Sequence, residues 1–278
     1  MKSPVVPPPG LVDHATRTAL LLSDHFDHIS TAGRYRVRRC ATWAELAEQA
    51  QSAPPSTVLL VRTEPGDGAL QALEQLMRAT PSVPAVVALS FRAASAEHLR
   101  AALATGISEV VNLDLERTFA SMHPTLRRAH ARPLKRRIEA QLPVWVSEHA
   151  RTLLRATAET VVDGGGREVL ASIFAVQERT VADWTAELGL PPPRRLLAWM
   201  RVLLALTLLE EANRTVRNVA ESCGYSDDTA LKRAVENFTG APSATRAQTF
   251  TTAFEVFRDE LWHLRESRRE ARIREPTI

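Results

Sequence analysis

The stretch VRNVAESCGYSDDTALKRAVENFTGAPS, residues 216–243, contains two short amphipathic patterns on either side of a turn. The apolar residues of the first pattern are Val216, Val219, Ala220 and Cys223. Those of the second pattern are Leu231, Ala234, Val235 and Phe238. Both sets follow the spacing i, i+3, i+4, i+7, which places the side chains on one face of a helix. The stretch therefore predicts two short helices, each packed through one apolar stripe.

The residues at the ends of these patterns indicate where the helices begin and end. Thr215 stands at an N-cap position, and Ser226 or Asp227 does the same for the second helix. Gly224 and Gly240 follow the last turns, where a left-handed residue lets the chain reverse. Two helices joined by a short glycine-containing turn form a helix-turn-helix, whose second helix enters the DNA major groove. On spacing alone, an ordinary helical hairpin fits equally well.

With its apolar stripe buried, the second helix exposes polar side chains of the kinds that read base edges. Arg and Lys recognise guanine, Asn recognises adenine, and Thr contacts a methyl group or a phosphate. The candidate base-contacting residues are Thr229, Lys232, Arg233 and Asn237.

The pattern G-Y-S-x-x-T-A-L-x-R-A-V-x-x-F-T-G, beginning at Gly224, resembles the second helix-turn-helix of the AraC/XylS family of transcription regulators. The family pattern is G-F-S-x-x-S-x-F-x-R-x-F-K-x-x-x-G-x-S-P, and the ending APS, residues 241–243, departs from it by placing the proline one position early. The resemblance spans residues 145–246 and implies a sequence-specific DNA-binding transcription regulator. It also implies two helix-turn-helix modules bridged by a long helix, in an all-helical domain at 145–250.

An upstream module fits residues 167–189, with its second helix carrying the stripe Val181, Trp184 and Leu188, and the bridging helix follows at 194–211. The outer face of that second helix has one basic residue, Arg179, and two acidic ones, Asp183 and Glu187. Acidic groups repel phosphate, so this module either touches one groove edge or does not read bases. The candidate phosphate-contacting residues of the whole domain are Arg179, Thr180, Arg214, Arg217 and Arg246.

The N-terminal half alternates aliphatic runs with helical patterns. The runs lie at residues 18–23, 34–39, 56–62, 84–90 and 108–113. Apolar runs separated by amphipathic helices predict a parallel sheet that is covered on both faces. We therefore predict a doubly wound, flavodoxin-like α/β domain with a five-stranded parallel sheet at residues 17–131.

The order of these elements resembles the receiver domain of response regulators. The resemblance implies an acidic pair after the first strand, a phosphoacceptor aspartate ending the third, a hydroxyl after the fourth and a lysine after the fifth. Asp24 and Ser90 match two of these features, but Val61 stands at the acceptor position and no lysine follows the fifth run. Valine has no oxygen to accept a phosphoryl group, and the neighbouring Glu64 and Asp67 lie in a loop. We therefore expect an unphosphorylated pseudo-receiver that acts in dimerisation, partner docking or domain packing.

The remaining segments are a proline-rich, disordered N-terminus at 1–16, a linker at 132–144 and a C-terminal helix at 251–278. A helical pattern at 115–142 contains Pro124 and Pro133, which should kink or divide it. It also carries a basic cluster, either a phosphate-facing strip or a solvated surface: Arg127, Arg128, Arg132, Lys135, Arg136 and Arg137. The last helix, with apolar residues at Phe254, Phe257, Leu261 and Leu264, is expected to be solvated or to bind a partner.

The composition of the chain limits the classes of function that it can have. The chain has 35 basic and 32 acidic residues, a weak positive charge for a DNA-binding protein, and its two cysteines show no metal-ligand spacing. No glycine-rich phosphate loop, nucleophile–base pair or metal cluster is evident, and His14, His25 and His28 form the only suggestive group. We expect a cytoplasmic protein that is not an enzyme, with no metal, cofactor or membrane span. Its expected partners are double-stranded DNA and a second copy or another protein; alternatively, it binds another regulator instead of DNA.

Overall fold

The computed structural model describes residues 17–22, 35–51, 53, 57–66, 68–80, 83–116, 119–210, 214–240 and 249–274. The expected Pro-rich terminus at 1–16 and the histidines His14, His25 and His28 lie outside these ranges. The described part divides into an α/β region followed by an all-helical region, as the sequence predicts.

A five-stranded parallel sheet forms the N-terminal region, with the strand order β2-β1-β3-β4-β5. The strands are β1 (Arg17–Leu22), β2 (Tyr35–Cys40), β3 (Thr57–Arg62), β4 (Ala85–Leu89) and β5 (Glu109–Asn112). Each lies within two residues of the aliphatic run that predicts it. The doubly wound, flavodoxin-like fold is thereby confirmed.

Helices cover both faces of the sheet, which is why its central strands are almost uniformly apolar. The helices α1 (Trp43–Gln51), α2 (Ala69–Ala79) and α3 (Ala96–Ala104) lie on one face. On the other face α4 (Phe119–Gln141) packs Met122, Leu126 and Ala129 against the sheet. All residues of β4 are buried, as expected for a central strand covered on both sides.

Helix α4 is continuous through both Pro124 and Pro133, so of the predicted kink or division, the division does not occur. Each proline removes one backbone hydrogen bond. Burial on two sides offsets that loss, since Leu126 packs on the sheet while Leu134 and Ile138 join the core of the helical region. Residues 132–141, expected to lie in a linker, are therefore helical, and Leu134 and Ile138 among them belong to the core of the helical region.

The helical region has one continuous core. Its helices are α5 (Glu148–Val162), α6 (Arg167–Ile173), α7 (Glu178–Leu188), α8 (Pro193–Leu209), α9 (Val216–Ser222), α10 (Asp228–Thr239) and α11 (Phe250–Arg274). Helix α8 runs through the middle, where Trp199, Met200 and Leu203 are fully buried. It is the long bridging helix that the sequence predicts between two short helix pairs.

The C-terminal helix α11 is a structural part of this region. Phe250, Phe254, Phe257 and Leu261 are all buried in the shared core. The apolar face of α11 therefore packs within the same chain, and the expected solvated surface is limited to the other faces of the helix.

Candidate nucleic-acid interface

Two helix pairs, α6–α7 and α9–α10, have the geometry of helix-turn-helix modules. Thr215 caps α9 by accepting a hydrogen bond from the Asn218 amide at 3.2 Å. Asp227 caps α10 in the same way, accepting from the Ala230 amide at 2.7 Å. The sequence allowed either Ser226 or Asp227 as this N-cap, and in the structure it is Asp227. The backbone amide of Ala230 is also the main reason that the pKa of Asp227 lies below its usual value.

Glycines end the second module's helices as predicted. Gly224 has φ of 78° and Gly240 has φ of 69°, a left-handed conformation that favours glycine. In the first module Gly189 closes α7 with φ of 67°, but the inter-helix turn uses Ala175 with φ of 54°. The two modules therefore make the same turn with residues of different backbone freedom.

The apolar stripe of α10 faces inward. Leu231 and Val235 are fully buried, and Ala234 and Phe238 are partly buried against the same core. The ring of Phe238 meets Trp199 of α8 edge-on, with the ring centroids 4.8 Å apart. These contacts fix the rotation of α10 about its axis and determine which side chains point away from the protein.

The candidate base-contacting residues lie on the opposite face of α10. Thr229, Arg233 and Asn237 are exposed. Lys232 is partly exposed, and its ammonium lies 3.4 Å from the carboxylate of Asp228 on the same helix. Both cations therefore remain accessible to a polyanion, which is the condition on which the DNA-binding interpretation depends.

The candidate phosphate-contacting residues differ in their exposure. Arg179 is exposed and Thr180 is partly exposed on α7, while Arg217 is exposed on α9 and pairs with Glu221 at 3.1 Å. Arg246 lies outside the described residues. The expectation for Arg214 needs correction: its side chain is buried, and it donates a hydrogen bond to the backbone carbonyl of Ala53 at 3.1 Å. This arginine holds the helical region against the sheet region.

The sequence did not indicate the polar contact that braces α10. Glu260 of α11 accepts two hydrogen bonds from Arg195, at 2.5 and 2.8 Å, and one from the indole of Trp199 at 2.8 Å. The Arg195 guanidinium also lies over the Phe238 ring, 5.1 Å from its centroid. The only sequence signal was the position of Glu260 beside the apolar stripe of α11.

The receiver-like edge of the sheet lacks the groups for phosphoryl transfer among the described residues. Val61 is fully buried between its neighbours on β1 and β4. The Ser90 hydroxyl donates to Asp114 at 2.8 Å, and this bond is the main reason that the pKa of Asp114 is lowered. Glu64 forms an ion pair with Arg62 at 2.6 Å. Asp24 and Asp67 lie outside the described residues.

The described residues contain neither a metal-ligand cluster nor a membrane-spanning helix. No group of three or more His, Cys, Asp or Glu side chains there is arranged to hold a metal ion. No helix in those ranges combines the length and apolar character needed to cross a bilayer.

Comparison with known proteins identifies the second half of the chain. Residues 170–248 match the family model described as a helix-turn-helix domain, of the AraC type. This range begins within α6 and includes α7, the bridging helix α8, α9 and α10. The chain therefore contains an AraC-type helix-turn-helix domain, which supports a DNA-binding transcription regulator.

Similar solved structures include a pilus assembly-related protein from Burkholderia pseudomallei and the xylose-binding transcription activator XylR. The first is 25% identical over 42% of this chain and 92% of its own, with a TM-score of 0.35. The second is 8% identical over 87% of this chain and 70% of its own, with a TM-score of 0.33. No curated protein sequence matches the chain.

Proposed function

We propose that the protein is a sequence-specific transcription regulator in which α10 reads base edges in the major groove. The observation that carries this proposal is the outward face of α10, where Arg233, Thr229 and Asn237 are exposed opposite a fully buried stripe. Arg233 supplies the planar donor pair that recognises guanine, and Asn237 supplies the amide that recognises adenine.

Phosphate contacts position α10 on the duplex in this proposal. Arg179 on α7 and Arg217 on α9 are exposed, one in each module. Arg246 is also proposed to contact phosphate. Phosphate contacts supply affinity that falls with salt but carry no sequence information. Arg214 is not accessible for this role, because it is buried against the sheet region.

Selection of bound fragments from a pool of random duplexes tests sequence-specific binding directly. We expect an enriched sequence motif, and a binding constant that falls steeply as salt rises. Replacing Arg217 with Ala should lower the slope of log K against log salt by about 1 and leave the selected motif unchanged. The proposal would be overturned if selection with the wild-type protein enriched no sequence motif.

We also propose that the sheet domain acts without phosphorylation, in dimerisation or in docking a partner. The buried Val61 at the acceptor position and the Ser90–Asp114 hydrogen bond support this. Treatment with acetyl phosphate and magnesium should leave the mass of the protein unchanged. Addition of one phosphoryl group would contradict the proposal.

The acidic outer face of α7 favours a second candidate function. Asp183 and Glu187 are exposed there, where a DNA-reading helix would meet phosphate. In this alternative the protein binds another regulator through the same fold instead of DNA. Sedimentation with random and selected duplexes separates the two, because the alternative predicts no salt-dependent DNA complex.

A further inference from the structure

A cleft of about 460 Å³ lies where the sheet region meets the helical region. The sheet side includes Val83 and Pro84, just before β4, and Ser108, just before β5. Arg132 and Arg136 of α4 and Thr207 of α8 also line the cleft. The volume lies in the range typical of small-molecule sites. Since it opens at the edge where the strands begin, the cleft is separate from Val61, at the other end of β3.

Three arginines border the cleft, and within the described ranges one of them forms an ion pair with a carboxylate. Arg137 forms an ion pair with Glu210 at 2.5 Å. Arg132 donates to the backbone carbonyl of Ser108, which is a neutral acceptor. Arg136 is exposed and makes no hydrogen bond or ion pair with any residue in the described ranges. Two guanidinium charges one helical turn apart therefore have no carboxylate partner among the described residues.

These two charges oppose each other. Burial is the main reason that the pKa of Arg132 is lowered, and the positive charge of Arg136 lowers it further. Glu109 offsets part of this effect, but its carboxylate is shared with Arg128 at 3.4 Å. Like charges at i and i+4 destabilise a helix. An anion between the two guanidinium groups would relieve this repulsion.

Part of the cleft lining is apolar. Met77 of α2 lines it together with Val83 and Pro84. A site with a cationic side and an apolar side suits a ligand with a charged head and an apolar body.

We propose that this cleft binds a small organic dianion, a phosphate monoester or a dicarboxylate, whose oxygens contact Arg132 and Arg136. Its apolar body contacts Met77 and Val83. The two charges of the ligand match the two guanidinium groups that lack a carboxylate. Guanidinium groups bind both phosphate and carboxylate oxygens in pairs of hydrogen bonds. The site is independent of DNA binding, so this proposal and the proposed function can fail separately.

Calorimetric titration of the full chain tests the proposal with phenyl phosphate, phthalate and the neutral benzyl alcohol. At least one of the two dianions should bind with a stoichiometry of one, and benzyl alcohol should not. The stronger of the two dianions identifies whether phosphate or dicarboxylate is the preferred source. Arg136→Gln should weaken that binding at least tenfold, because it removes a hydrogen bond between two charged groups.

Arg194→Gln is the matched control. This exposed arginine lies near the start of α8, about 20 Å along the helix from the cleft, and the substitution removes the same charge. It should leave dianion binding unchanged. The proposal is overturned if neither dianion binds, if Arg136→Gln binds as tightly as the wild type, or if both variants weaken binding equally.

Discussion

The two helix-turn-helix modules share a backbone plan but present opposite chemistry. When the buried Val181 of α7 is set against the buried Leu231 of α10, Thr185 matches Val235, and both are buried. At the next outward positions, Asp183 stands where α10 has Arg233, and Glu187 stands where α10 has Asn237. The inward faces determine the fold and the outward faces determine what each module can bind. The same backbone arrangement can therefore carry two different surfaces.

The largest expected effect concerns the inward faces, which the two modules share. Leu231→Ala and Leu170→Ala each remove a fully buried side chain, and each should lower the free energy of unfolding by about 2–5 kcal/mol. Because both residues lie in one core, denaturant unfolding should show a single transition for the helical region in each variant. Asn237→Ala, at an exposed position, serves as the control. Separate unfolding transitions for the two modules would show that they do not unfold as one core.

The next effect concerns the outward faces, where the modules should differ. Arg233→Ala should cost about 1–3 kcal/mol in binding to the selected duplex and less on random duplex, because a base contact is lost. Asp183→Ala, at the matching position of α7, should not weaken binding to either duplex. Fluorescence anisotropy with both duplexes provides the measurement. Equal losses from the two variants would show that α10 has no special role.

The turns provide a third, smaller contrast. Gly224 has a left-handed backbone with open space around it, so Gly224→Ala should lower stability by about 1 kcal/mol through backbone strain alone. The equivalent Ala175 already bears that strain, so Ala175→Gly should raise stability by up to about 1 kcal/mol. Thermal unfolding of both variants tests the signs. Two changes of the same sign would show that the turns are not equivalent.

The smallest effect concerns the helix caps. Asp227 caps α10 with its side chain, whereas Gln177 makes no such bond at the start of α7. The pKa of Asp227 is lowered by folding, so its contribution is present above the unfolded value of about 3.9 and is lost as pH falls through the folded pKa. The stability difference between wild type and Asp227→Ala should therefore shrink below about pH 4. Gln177→Ala should show no such pH dependence, and a similar loss in both variants would contradict the assignment.

Much of the fold was predictable from local patterns. The run at residues 18–23 predicted β1 at Arg17–Leu22, and the stripe from Leu231 to Phe238 predicted the buried face of α10. Both signals are periodic, and periodicity depends only on neighbouring residues. The cap at Asp227 and the turn at Gly224 were predictable for the same reason.

The functional residues were harder to predict, because charge on a helix does not say where the helix lies. Arg214 and Arg217 are three residues apart and looked alike as phosphate contacts. Only the packing of the sheet region against the helical region separates them, since it buries Arg214 on Ala53 and leaves Arg217 exposed. Glu260 was missed because its partners, Arg195 and Trp199, lie more than sixty residues away.

The sequence by itself determined the strands, the two short helix pairs and the loss of the phosphoacceptor at Val61, since each is encoded by residue type and spacing within a few positions. The tertiary structure alone decided that α4 joins both cores, that α11 buries its apolar stripe, and that two arginines with no carboxylate partner among the described residues border a cleft. These features depend on contacts between distant segments. Such contacts determine whether a side chain is buried or stays hydrated, and no local pattern encodes that difference.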